Sequence, residues 1–418
     1  MGDLGLPSDY DPRFIPSSSR LQKASEKGLE TWTSFIMTNK DSPQIIADKI
    51  DEIVKVIDSA LEVDGPHVPK ALKLGLELEM RYWVYDNRLQ DWLNFMVHML
   101  KKAIELRDAA LISEVYRAWS LYLYTNREEA RAKKAIESAL EYANDTKQEP
   151  LKLLARAERF NLRIRDLSLS DAQAEANTLI TEADRLQFPY VKGRAYLTLA
   201  LSYQMSALPA EAFSTAQQAL MCFISPEIVG MQAYAVSLML GNIQINNGHS
   251  LTYRMKLLDY LTSLTQRSVN PHFRAAVAHL QANEAYYQGS PIDARRHALT
   301  AWFNYRNVNR DTISSRDIQH VLGLIENKLN RPAMAERHLN AARAYFQATH
   351  ETLREISALH ALAWVPYMHG DPIRALGLMD DALMLIDQLK ETKTQEAVRT
   401  LLQADRAKIE QAAQDAAS

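Results

Sequence analysis

Between residues 66 and 390, apolar and small side chains return at steps of three and four, the spacing that gathers them on one face of a helix. Ala294, Ala298 and Ala301 form one such set, and Ala335, Leu339 and Ala342 another. The stretch "LGLIENKLNRPAMAERHLNAARAYF" (322–346) places a proline between two runs of this kind. Similar prolines are Pro209, Pro291, Pro332 and Pro372, separated by 82, 41 and 40 residues, with Ser250 in the vacant middle slot. The pattern therefore has a period near 41.

Proline in the first turn of a helix removes an N–H that has no intrahelical partner, so each proline marks a helix start. Ser290 and Asp371 precede theirs as N-caps. Gly248, Gly289, Asn330 and Gly370 stand just before, residue types that accept the left-handed backbone ending a helix. Each unit is predicted to be helix A, a tight turn and helix B. The helix B frame extends back to Ala212, Ala216 and Ala219, and to Ala132, Ile136 and Ala139. It holds less well near Ala176, Ile180 and Ala183, where "RDLSLSDAQ" lengthens the turn. About eight hairpins fit.

The units resemble the tetratricopeptide repeat (TPR). Tyr196, Leu199, Ala200 and Tyr203, then Ala212 and Ala219, follow its pattern, and Leu240-Gly241 and Leu322-Gly323 supply its Leu-Gly pair. Gln244, Glu326 and Pro366 stand where that family has tyrosine, and the long period is similar to MalT-type repeats. The resemblance implies an all-α, right-handed α-solenoid whose A helices form a concave wall that binds a protein or peptide.

Outside the frame, 1–19 reads as a disordered or extended lead with three prolines and a serine run. Residues 20–65 form a helical cap with helices expected over 20–38 and 43–62. The solenoid covers 66–390, and 391–418 is a polar capping helix that shields the last repeat.

Composition narrows the function. A net charge of −3 provides no global field for nucleic acid or an anionic membrane, and disfavours nucleic acid as a partner. Cys222 is the only cysteine, which excludes an intramolecular disulfide, and its apolar surroundings predict an inert thiol. No apolar run is long enough to span a membrane, and no signal peptide is read at the N-terminus, so a cytoplasmic setting is expected. The motifs of phosphate loops, dinucleotide folds, zinc proteases and nucleophile elbows do not occur, so no enzyme activity, cofactor or metal is expected. The adjacent Asp380 and Asp381 point to different sides of a helix and read as solvated.

If the Leu-Gly pairs pack inward, three frame positions of helix A face the groove. They supply the amides Gln204, Asn242, Asn283 and Asn327, the histidines His279, His320 and His360, and the aromatics Tyr286, Trp364 and Tyr367, with Tyr287 beside them as a further candidate anchor. Amides carry a donor and an acceptor and suit an extended peptide backbone of any sequence. The histidines are expected to be adaptable hydrogen-bonding groups titrating near pH 6.5. Lys152, Arg156, Arg159 and Arg163 share a helix face, either as a basic patch or as a solvated face paired with acids such as Glu137 and Glu141. The leading expectation is a non-catalytic scaffold or adaptor. A signal-peptide or small-molecule sensor, and a nucleic-acid binder using the basic face, are the alternatives.

Overall fold

The computed structural model describes residues 18–39, 42–78, 89–125, 128–206, 208–224, 229–243, 251–266, 271–308, 313–389 and 392–417. All but two residues of the expected lead lie outside them, as do Gln244, Gly248 and Ser250. Among the described residues the regular elements are helices, without a strand. These residues divide into two compact units, one of 18–198 with 222–224 and the other of 199–221 with 229–417.

The first unit begins with α1 (Ser18–Thr38), α2 (Pro43–Ala47), α3 (Ile50–Glu62) and α4 (Val68–Leu78). The helix expected over 43–62 is thus two helices, broken after Ala47. Leu29, Ile36, Ile53 and Ile57 are buried where α1, α3 and α4 pack together. Next come α5 (Leu89–Leu106), α6 (Ala109–Thr125), α7 (Glu129–Asn144), α8 (Glu149–Arg163) and α9 (Leu169–Arg185). Each packs on the one before it, as short connections between antiparallel helices require. The lengthened turn before α9 is a 3-10 turn, Ile164–Asp166, followed by Ser168, whose Oγ accepts from the Asp171 amide at 3.2 Å. In α9 the core residue between Ala176 and Ala183 is Leu179 rather than Ile180.

Helices α10 (Pro189–Met205) and α11 (Pro209–Cys222) follow, and the division between the units falls along them. On the first unit's side, Arg194 of α10 forms an ion pair with Glu158 of α8, and both side chains are almost fully buried.

The second unit continues with α12 (Val229–Asn242), α13 (Leu251–Gln266), α14 (Pro271–Tyr287), α15 (Pro291–Val308), α16 (Ile313–Lys328), α17 (Pro332–Ala348), α18 (Thr352–Met368), α19 (Pro372–Met384) and α20 (Thr392–Ala417). Helices α12 to α19 pair as four hairpins, and α20 packs against α19 after the last of them. The turn chemistry read from the sequence recurs in three dimensions. Gly289, Asn330 and Gly370 have φ of 77°, 59° and 83°, and Pro291, Pro332 and Pro372 each open the following helix. Asp371 caps α19 by accepting from the Arg374 amide at 3.0 Å.

The alanine ladder is the core: Ala294, Ala298, Ala301, Ala335 and Ala342 are wholly buried, and their small size lets neighbouring helices approach closely. Charge reinforces the stacking of hairpin on hairpin. Arg254 of α13 binds Glu284 of α14 at 2.5 Å, and one repeat later Arg295 of α15 binds Glu326 of α16 at 2.6 Å. In both, a helix B cation reaches a buried acid on the next helix A.

Candidate functional site

The A helices of the second unit are α12, α14, α16 and α18. Each touches the next A helix as well as its B partner, whereas among the described residues successive B helices do not pack as closely. The A helices therefore form a continuous wall. The groove residues proposed from the sequence occupy this wall in different ways.

The histidines are engaged with neighbouring helices. His279 meets Tyr305 of α15 edge-on, with ring centroids 6.4 Å apart. His320 Nε2 lies 3.3 Å from the Ser357 carbonyl of α18. His360 Nε2 lies 3.0 Å from Asp405 Oδ2 of α20 and 3.0 Å from Trp364 Nε1. Burial, with help from His320, pushes His279 down to about 4, and burial also lowers His320 against the opposing effect of the Ser357 carbonyl. Titration near pH 6.5, expected from sequence for the whole row, therefore does not apply to these two, because their surroundings disfavour the cation.

Acid sensitivity follows from that shift. The unfolded histidine titrates near pH 6.5 and the folded one near 4, so the stability contributed by neutral His279 is complete above about 6.5. It is lost as pH falls through 6.5 toward 4. Urea unfolding at pH 7 and pH 5 is expected to differ by about 2 kcal/mol on this account, and His279→Gln to reduce the difference. Equal pH dependence in both proteins would contradict the assignment.

The four amides are not equivalent. Gln204 is exposed on α10, beside Gly241 of α12. Asn242 is buried and donates to the Leu238 carbonyl of its own helix at 2.8 Å, which breaks the expected row. Asn283 is half-buried on α14. Asn327 is 9% exposed, its Nδ2 is 3.6 Å from Met368 Sδ of α18, and its buried Oδ1 has no hydrogen-bond partner among the described residues.

The aromatics do cluster. Trp364 stacks edge-on with Tyr367 at 5.2 Å, and Tyr286 with Tyr287 at 5.7 Å. Tyr286 packs on the core of its hairpin and holds Lys328 Nζ 4.8 Å from its ring centre. A further column joins Tyr287, an anchor candidate from the sequence, to Lys328 and Met368, which the sequence frame missed although the three repeat at 41 and 40 residues. It lies one position beyond Tyr286, Asn327 and Tyr367 at the end of each A helix, where the structure exposes all three. A one-residue step turns a helical side chain by 100°, which converts a half-buried column into an open one.

In the first unit the basic face of α8 is matched by acids. Lys152 pairs with Glu149 at 3.2 Å and Arg156 with Glu182 at 2.6 Å, while Arg159 lies between Glu137 and Glu175 at 3.8 and 3.9 Å. Arg163 stands in the last turn of α8, where a cation complements the helix dipole. Cys222 is part-buried, and burial pushes its thiol pKa up, against a smaller opposing effect of Lys192. Asp380 pairs with Arg406 at 2.7 Å. Among the described residues no cluster of histidine, cysteine and carboxylate could hold a metal, and no helix is long and apolar enough to cross a membrane.

No family model matches the sequence, and no curated protein matches it. Solved structures do. The chain is similar to the APC/C hetero-tetramer Cut9–Hcn1, with a TM-score of 0.54 and 13% identity over 92% of this chain and 73% of that one. Matches with lower TM-scores include a Rap protein complexed with Competence and Sporulation Factor (0.48, 13% identity, 88% of this chain and 99% of that one). The apo form of the quorum sensor NprR from B. thuringiensis is another (0.47, 14% identity, 76% and 97%). The fold is that of the TPR proteins the sequence resembles. At such identity the likeness is one of fold alone.

Proposed function

We infer that the protein is a non-catalytic TPR-type scaffold, and that the A-helix wall of its second unit holds a peptide or protein segment. The observation that carries this reading is the column Tyr287, Lys328 and Met368, exposed at the ends of successive A helices. Half-buried Trp364 stands on the same wall, and tyrosine, tryptophan and methionine are residue types enriched in interfaces. Asn283 and Gln204 offer further amides to an extended chain, and Lys328 adds a cation suited to an acidic group.

A peptide array followed by calorimetric titration of the strongest binders tests this. Tyr287→Ala, at a side chain 78% exposed, is expected to lower affinity about ten-fold or more without unfolding the protein. Asn283→Ala is expected to lower it less. Full affinity in both variants would remove the wall as the binding surface.

A further inference from the structure

Two groups compete for one nitrogen at the end of the A wall. Asp405 Oδ2, carried by α20, and the Trp364 indole Nε1–H, one turn beyond His360 on α18, each lie 3.0 Å from His360 Nε2. A ring nitrogen either carries a proton and donates to the carboxylate, or carries a lone pair and accepts from the indole. It cannot do both, so the two bonds belong to different proton states.

The surroundings are suited to such an exchange. His360 and Asp405 are 22% and 11% exposed, so neither bond is readily replaced by bulk water. From α20, Asp405 faces the ring, with Lys408 Nζ 2.7 Å from its other oxygen. From α16, His320 is close enough for a charge on His360 to disfavour its protonation. On α18 itself Tyr367 follows Trp364 in the aromatic ladder. Burial raises the Asp405 carboxyl, but Lys408 and His360 outweigh this and hold it below its ordinary range. Around it, Leu402 and Ile409 of α20 are buried against Ile356 and Leu359 of α18, so the bond acts on a helix that is already docked.

We propose that His360 Nε2 is a proton-controlled selector linking the seating of α20 to the donor capacity of Trp364. Protonated His360 donates to Asp405, tightens α20 and frees the indole N–H for an acceptor on a partner. In the neutral ring with its proton on Nδ1, Nε2 accepts from Trp364 and Asp405 Oδ2 loses the histidine as donor, while Oδ1 keeps Lys408. The neutral ring divides between its two tautomers, so its hold on Asp405 is partial, whereas the cation's is complete. The exchange consumes one proton from solvent, bound at Nε2, and no other group changes charge. The consequence for a partner rests on the groove reading above, but the seating of α20 does not.

Two readouts without a partner test it. Hydrogen exchange of α20 amides, corrected for the intrinsic rate, is compared at pH 6 and pH 8, on either side of the ordinary histidine pKa of about 6.5. The wild type is expected to open α20 about five-fold less often at pH 6, a change of the size that one partly exposed ion pair produces. His360→Gln is expected to show no such ratio. The ¹⁵N–¹H indole resonance of Trp364, assigned with Trp364→Phe, is expected to move together with the His360 ring. In Asp405→Asn the indole still moves while the protection of α20 no longer follows pH. The proposal is overturned if α20 shows the same pH ratio in wild type and His360→Gln, or if the indole ignores the titration of His360. Since neither readout uses a ligand, its failure is distinct from a failure of the groove to bind one.

Discussion

Glu158→Ala is expected to destabilise the first unit by about 3–5 kcal/mol, the cost of breaking a buried ion pair from one side. The Glu158 and Arg194 side chains are 1% and 7% exposed, so each charge has given up most of its hydration and depends on the other to offset that loss. Removing the acid takes away the buried carboxylate that faces the guanidinium. The pair also joins α8 to α10, so the loss falls on the contact between these two helices. Glu158→Gln keeps the shape and an acceptor and is expected to cost less. Replacing both residues together with apolar side chains of similar volume is expected to restore much of the stability, because neither charge then has to be desolvated. Urea midpoints of the four proteins check this. A midpoint unmoved by Glu158→Ala would mean that water reaches the pair.

The second large effect is expected at the contact of Gly323 with Leu339. A Cβ on Gly323 would stand 2.4 Å from Leu339 Cγ and 3.2 Å from the Ala335 carbonyl oxygen, both on α17. Gly323→Ala therefore forces α16 away from α17 and is expected to cost about 1–3 kcal/mol, although alanine is the better helix former. Leu339→Ala, at a wholly buried side chain, is expected to cost about 2–5 kcal/mol. The double variant is expected to be more stable than the sum of the two losses predicts, because the new methyl occupies space the leucine has left. Strict additivity in a double-mutant cycle would show that the two positions do not share that space.

The Leu-Gly pair illustrates how much of the fold is legible. Gly323 was recognisable as a packing site because helix-forming sequences rarely keep a glycine beside a periodic leucine unless another helix lies close. Pro332 and Asn330 were equally informative, since one is tolerated at a helix start and the other enters the left-handed region. The candidate site was less legible. Asn242 and Asn283 occupy equivalent frame positions, yet one donates to its own helix and the other remains half-exposed. The column Tyr287, Lys328 and Met368 carried a repeat signal as regular as that of the histidines, but a frame anchored on the Leu-Gly pairs set the groove face one residue short of it.

The sequence by itself determined the helices, their turns and their repetition. These depend on interactions within a few residues: a proline without an N–H, a left-handed glycine or asparagine, alanines returning every third or fourth position. The tertiary structure alone decided what the polar side chains do. The partners of His320, Asn327 and His360 are Ser357, Met368 and Asp405, each on a helix some forty residues away. Local spacing does not encode such pairings, because they depend on how far each helix is rotated and displaced against the next. The same packing limits access of water, and it is this that keeps His279 neutral and sets two groups in competition for one nitrogen of His360.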